Sequence, residues 1–502
     1  MAGLTDQQVD LIARRALQRL SQSASSPTQA VSPTLPVSPV PVAYGEAHRP
    51  PTSPVPSGTA SAAGIYAEVG SAVQAATEAF HHFQAMPLAG RAKIIASIRE
   101  KMLASAELLA REAHAETGLG RWQDKVLKNR LVTRKTPGTE DLTPIATTGD
   151  HGLMLMERAP FGVIASITPS TNPTSTIICN TIGMLAAGNT VVFNVHPMAK
   201  RVSIRNIVLL NEAITQAGGP PNLVTAIEEP TIESAQALMR HPGVRLLVVT
   251  GGPGVVEAAM SSGKRAICAG PGNPPVVVDE TADIEKAARS VVLGASLDNN
   301  IICTDEKEAF VVESVADRFI KAMKCNGAVI LDAGQTRQME NLVLKERRQS
   351  PQSSVVNRDL IGKNAGVILG KIGIQAGDEI RLAVVEVDHR HPLVWTEQLM
   401  PVFPVVRVAN VDEGIDLAIA AEGGRRHTAA MHSRNIDKLS RMARLVNCSI
   451  FVKNGPCYAG LGEGGEGYSS FSIASPTGEG MTGPRSFSRE RRCTLVDHFR
   501  IV

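Results

Sequence analysis

Gly162-Val-Ile-Ala-Ser-Ile-Thr-Pro-Ser-Thr-Asn-Pro-Thr174 begins as an apolar run, turns at Thr-Pro-Ser-Thr-Asn, and opens a helical stretch over Thr176–Ala187. Gly188-Asn-Thr-Val-Val-Phe-Asn-Val-His-Pro197 follows as a turn, a buried strand over Thr190–Asn194, and another turn. Strand, helix and strand within about forty residues is the unit of a parallel sheet, because two parallel strands need a crossover between them. Outward from this unit the alternation continues. Strands are predicted at Val244–Thr250, Pro275–Asp279 and Ala309–Val312, and helices at Lys200–Gln216, Val255–Ser262 and Ile284–Ala295. A second strand–helix series runs from about Ala309 to Val446. The expected class is α/β with two Rossmann-type parallel domains, as suits 502 residues.

The flanks differ in character. Thr5 and Gln8 form a capping box, and Val9, Ile12, Ala13, Ala16, Leu17 and Leu20 fall on one helical face, so residues 1–20 read as an amphipathic helix. Between Ser21 and Ser57 stand nine prolines and many serines, a composition that cannot build a core. Residues 21–61 therefore read as a disordered spacer, reaching roughly 100 Å if extended at ~3.1 Å per residue. A helix on such a tether suits docking to a partner; the simpler alternative is a helix packed on its own domain. Two further helices follow, one carrying Val73, Ala76, Phe80 and Phe83, the other Ile94, Ile98, Met102 and Leu109. Near the other end, Cys493–Val502 reads as a short strand. Paired with the β-like stretch Gly152–Arg158, it would form an intersubunit sheet.

Composition excludes several roles. A net charge of +3 with 3% aromatic residues offers neither the basic field nor the stacking platforms of a nucleic-acid binder. No apolar run approaches the ~20 residues that span a bilayer. The seven cysteines are scattered, with no CxxC pair and no metal-like spacing, so no metal is expected. Most such thiols pack in cores. Cys303 stands apart because it follows Asp298-Asn-Asn, a turn-forming triplet, and precedes a strand. Loop backbone N–H groups there would favour a thiolate and hold an oxyanion. Asn172, at a strand–helix junction, offers a second amide donor. Thr250-Gly-Gly-Pro-Gly254 follows an apolar strand and precedes a helix, so its N–H groups suit a pyrophosphate, although glycines at such junctions are often only turns.

Together these segments resemble the aldehyde dehydrogenase superfamily, in the same order, from about Ala62 to Val502. Glu116-Thr-Gly-Leu-Gly120, Asp124-Lys-Val-Leu-Lys-Asn129 and Asp298-Asn-Asn-Ile-Ile-Cys303-Thr-Asp-Glu306 resemble its CoA-acylating branch. Gly455-Pro-Cys-Tyr-Ala-Gly-Leu-Gly-Glu-Gly-Gly-Glu-Gly467 and Ser475-Pro-Thr-Gly-Glu-Gly480 are similar to the propionaldehyde dehydrogenases of propanediol-utilising bacterial microcompartments. The resemblance implies Cys303 as nucleophile, with Asn172 and the Cys303 backbone N–H as oxyanion donors. It implies NAD contacts at Pro169, Asn194, Thr250, Gly251, Gly252 and Glu397, the last on the nicotinamide ribose; a solvated charge at a strand edge is the plainer reading of Glu397. Where hydrolytic members carry Glu–Leu–Gly–Gly, this chain reads Cys268-Ala-Gly-Pro-Gly-Asn273. The base that activates water for thioester hydrolysis is missing, which favours capture by the thiol of coenzyme A. Asn194 replaces a lysine frequent in hydrolytic relatives, which leaves NAD against NADP open.

The resemblance further implies a short-chain aldehyde as substrate, propanal before acetaldehyde, and a homo-oligomer, dimer or tetramer. The expected layout is a docking helix (1–20), a linker (21–61), an NAD-binding domain (62–270, with 147–160 in an oligomerisation hairpin), a catalytic domain (271–480) and an oligomerisation strand (481–502). Residues 4–20 resemble encapsulation peptides, which implies a shell or cargo partner and a microcompartment lumen. The rival activities are a hydrolytic semialdehyde dehydrogenase and an idle scaffold that keeps only the fold.

Overall fold

The computed structural model describes residues 64–346 and 354–502. The docking helix and the linker expected over 1–61 lie outside the described residues. Six parallel strands form a first sheet in the spatial order Ile65–Tyr66, Val224–Ile227, Thr190–Asn194, Val163–Ile167, Val244–Thr250, Ala266–Ala269. Seven parallel strands form a second, in the order Ala328–Ile330, Leu382–Glu386, Val402–Val408, Glu308–Val312, Pro275–Val278, Thr428–His432, Ile450–Lys453. Val163–Ile167 and Thr190–Asn194 are buried at every position, as strands covered on both faces must be. The second series thus begins at Pro275, earlier than its expected start near Ala309, and ends at Lys453.

Two helices start earlier than their apolar periodicity suggests: Pro173–Ala186 and Pro253–Met260 each carry proline in the first turn, where no N–H is needed. Leu88–Thr117 buries Ile94, Ile98, Met102 and Leu109 along one face and stops at Gly118, whose φ of +64° is the left-handed turn that ends a helix. Among the described residues no helix is long and apolar enough to cross a membrane.

The terminal strand is the clearest correction. It spans Ser488–Val496 instead of Cys493–Val502, and it pairs antiparallel with Gly152–Pro160 of its own chain, with Ile145–Gly149 on the far side. Its length is set by its partner, not by its own pattern. Residues 489–496 are all exposed, so no apolar alternation marked where it began.

Candidate active site

The chain crosses from Val163–Ile167 outward to Thr190–Asn194, then returns to place Val244–Thr250 on the other flank. This reversal opens a crevice beyond the carboxyl ends of those strands, where open α/β sheets bind ligands. The loops that leave the strands bring Pro169, Asn172, Asn194 and Thr250 there, followed by Gly251 and Gly252. Cys303 and Glu397 arrive from the second sheet. All eight line one cavity of about 720 Å³.

The dinucleotide side is built from backbone. Gly252 precedes the helix Pro253–Met260 and offers no side-chain cap, so the first-turn N–H groups point outward. A Cβ at Gly252 or Gly254 would meet nothing within 4 Å, whereas one at Gly251 would press on Val255 at 2.7 Å. The Thr250 and Ser472 hydroxyls share a 2.9 Å hydrogen bond, and Ser472 in turn donates to Asn180 Oδ1, which ties the turn to a buried helix. Thr168 lines the same cavity with a buried hydroxyl that has no protein partner. These groups fit a dinucleotide phosphate and its ribose. Asn194 differs from expectation: its Oδ1 accepts from Ser234 and its Nδ2 donates to the Thr231 carbonyl, so its side chain is committed to the neighbouring helix cap.

The loop that leads to Cys303 is tied down by side-chain hydrogen bonds. Asp298, Asn299 and Asn300 all adopt left-handed backbone, with φ of 47°, 59° and 65°. Asn299 Nδ2 donates to the Gly362 carbonyl and to Asn364, and Asn300 Nδ2 to the carbonyls of Ala295 and Glu306. Thr304-Asp-Glu-Lys-Glu308 is wholly buried. Within it Lys307 Nζ caps the loop by donating to Asn300 O, Asn300 Oδ1 and Ile302 O.

Cys303 itself is half-buried at the cavity wall. Here the expectation of a lowered pKa fails. Burial pushes the thiol up to about 12, the Glu397 carboxylate adds to the rise, and Lys307 and the Cys303 backbone N–H only partly oppose it. Cys268 is fully buried in the strand Ala266–Ala269, away from the cavity. Glu397 accepts from the Gly272 N–H at 3.3 Å, and burial raises its carboxyl.

Three residues with a bearing on the site escaped the sequence reading of roles. His427 is buried with Nε2 unpartnered, and burial drives its pKa down to about 3, so it is neutral. Lys125 and Lys128 are buried beside Asp298, and Lys128 Nζ donates to Asn172 Oδ1 at 2.6 Å. Their signal was present: two lysines three apart share a helix face with Val132, where the core-facing stripe of an amphipathic helix ordinarily carries apolar residues.

A family model described as the aldehyde dehydrogenase family matches residues 50–481. The chain belongs to the aldehyde dehydrogenase family. Among aldehyde dehydrogenases it is 52% identical, over 89% of its length and 95% of the relative, to an acetylating acetaldehyde dehydrogenase of Salmonella typhimurium. The Rhodopseudomonas palustris propionaldehyde dehydrogenase, solved with bound CoA and an acylated cysteine, superposes with a TM-score of 0.84 at 48% identity, covering 87% of this chain and 99% of that one. A propionaldehyde dehydrogenase from the fucose-utilisation microcompartment of Clostridium phytofermentans gives 0.85 at 45% identity, covering 88% and 100%. Among the described residues of this aldehyde dehydrogenase no three His, Cys, Asp or Glu side chains converge as a metal site.

Proposed function

We propose that this protein oxidises a short-chain aldehyde to its acyl-CoA, with NAD as hydride acceptor and coenzyme A as acyl acceptor. The observation that carries the reading is chemical. Among the described residues Cys303 is the one thiol lining the cavity and Glu397 the one carboxylate, and the position of the hydrolytic base holds Cys268, packed in the core. Residues 62–270 take the dinucleotide and residues 271–480 supply the thiol chemistry.

Cys303 Sγ gives its proton to solvent and adds to the aldehyde carbon, whose C=O electron pair moves to the oxygen. Asn172 donates one amide N–H to Thr171 Oγ1, which leaves the other, with the Cys303 N–H, for the oxyanion. NAD, held by Thr250–Gly252 and Glu397, would supply the hydride acceptor, and loss of hydride from this carbon leaves Cys303 carrying a thioester. With Cys268 at the position of the hydrolytic base and Glu397 engaged by the Gly272 N–H, the thioester waits for the CoA thiol, whose attack restores an oxyanion in the same cradle and frees Cys303. Thr250–Gly252 and Cys303 share one cavity, so the dinucleotide and CoA occupy it in turn. Propanal is the expected substrate, with acetaldehyde next.

The relative from a fucose-utilisation microcompartment supports a lumenal enzyme, and the reading takes the enzyme to work as a homo-oligomer. In this reading residues 4–20 dock on a shell or cargo protein. The deciding measurement is NADH formation from propanal and NAD with and without CoA. CoA-dependent turnover with acyl-CoA as product is expected; sustained turnover to free acid without CoA would refute the acylating reading.

A further inference from the structure

Asn172 stands at the N-cap of the helix Pro173–Ala186, a position where asparagine ordinarily turns its side chain back onto the helix N–H groups. Here it makes no such cap. Its Oδ1 instead accepts from Lys128 Nζ at 2.6 Å, one of the buried contacts of that ammonium; Asp298 Oδ2 takes another. Lys125 Nζ reaches the same Asp298 oxygen at 2.9 Å and the Thr171 carbonyl at 3.5 Å. Both lysines are 2% exposed and Asp298 is fully buried, so two ammonium groups face one carboxylate out of water. Burial would raise the Asp298 carboxyl, but the two ammonium groups outweigh it and keep the acid ionised.

Holding Asp298 there strains the backbone. It begins the run of three left-handed residues, and its other oxygen accepts from the Arg121 N–H at 2.6 Å. A Cβ at Gly120 would lie 1.9 Å from that oxygen, so only glycine fits beneath it. Its own N–H donates to Asp124, which Arg381 fixes from the far side. Strain of this kind persists only where surrounding contacts over-determine it, and the contacts here converge on Asp298, which in turn holds Lys128.

We propose that Lys128, held by Asp298, is a positioning residue that polarises the Asn172 amide toward the oxyanion. An ammonium on Oδ1 fixes which end of the amide faces the cavity and withdraws electron density, so Nδ2–H becomes a stronger donor. In a dry site such a charge-assisted chain is stronger than its parts. The proposal rests on the acylating reading, in which the oxyanion forms twice, once on aldehyde addition and once on CoA attack. Lys128 therefore acts in both half-reactions.

The test is a double-mutant cycle on the full chain, with the NADH burst and the CoA-dependent step timed separately. Removing one oxyanion donor costs about 10²–10³ in kcat. Lys128→Met is expected to slow both steps by about 10–100-fold, at unchanged KM for NAD and CoA. In an Asn172→Ala background the same change should cost less than about threefold, because the amide it acts through is gone. Lys128→Arg, which keeps the charge, should recover part of the rate. Should Lys128→Met fail to fold, Lys128→Gln carries the same expectation, since it can hydrogen bond without charge. Costs that multiply in the two backgrounds, or a Gln variant at full rate, overturn the proposal while the acylating activity of the wild type stands. A wild type without CoA-dependent turnover would instead remove the reading beneath it.

Discussion

At the residue scale the surprise is that Cys303, the proposed nucleophile, sits in surroundings that favour its protonated form. Burial raises the Cys303 thiol first and Glu397 second, up to about 12, so at pH 7–9 it is a thiol in the free enzyme. Alkylation needs the thiolate, so its rate should climb about tenfold per pH unit across that range without levelling. Glu397→Gln removes the negative charge that opposes ionisation; the pKa should fall and inactivation by iodoacetamide at pH 8 should quicken. An unchanged rate would show that Glu397 does not govern this thiol. Cys303→Ala should abolish NADH formation, whereas Cys268→Ala should leave most of it, because Cys268 is buried outside the cavity. The position of Cys303 was legible from the Asp-Asn-Asn turn before it. Its raised pKa was not, because it depends first on burial and then on Glu397, both supplied only by the fold.

At the element scale, strands and turns with strong local signals read well. Thr190–Asn194 and Val244–Thr250 fall where their apolar runs end, and Lys200–Gln216 and Ile284–Ala295 match their periodicity. What was not legible was whatever a partner element dictates: the start of Ser488–Val496, and the hydrogen bonds that tie the Asn194 side chain to the Thr231–Ser234 cap. The short loop after Ala266–Ala269 shows how closely elements meet at the site. A Cβ on Gly272 would stand 2.5 Å from the Cys303 carbonyl oxygen and 3.1 Å from the His427 ring. Gly272→Ala must therefore shift the nucleophile loop. A displacement near 1 Å can cost about 10²-fold in rate, so kcat should fall by that order while the melting temperature drops only a few degrees. Wild-type kcat in this variant would mean that the loop has slack the packing does not suggest.

For the whole molecule, the class followed from alternation alone: runs of apolar residues separated by amphipathic helices leave parallel sheets as the solution. The activity needed the resemblance, since no spacing identifies the acyl acceptor. Deleting residues 1–20 tests the address. Catalysis should persist and co-purification with shells should vanish; lost catalysis would favour a helix packed on its own domain.

The three-stranded sheet also bears on how the chain is made. Gly152–Pro160 finds its partner in Ser488–Val496, hundreds of residues later. At about 5–20 residues per second, the ribosome takes tens of seconds to deliver that partner. Until then the edge Gly152-Leu-Met-Leu-Met-Glu157 stands open on one side, an apolar template for pairing with a neighbouring nascent chain. Crowded polysomes should therefore favour aggregates of this protein, and sparser ribosome loading or a bound chaperone should raise its soluble yield.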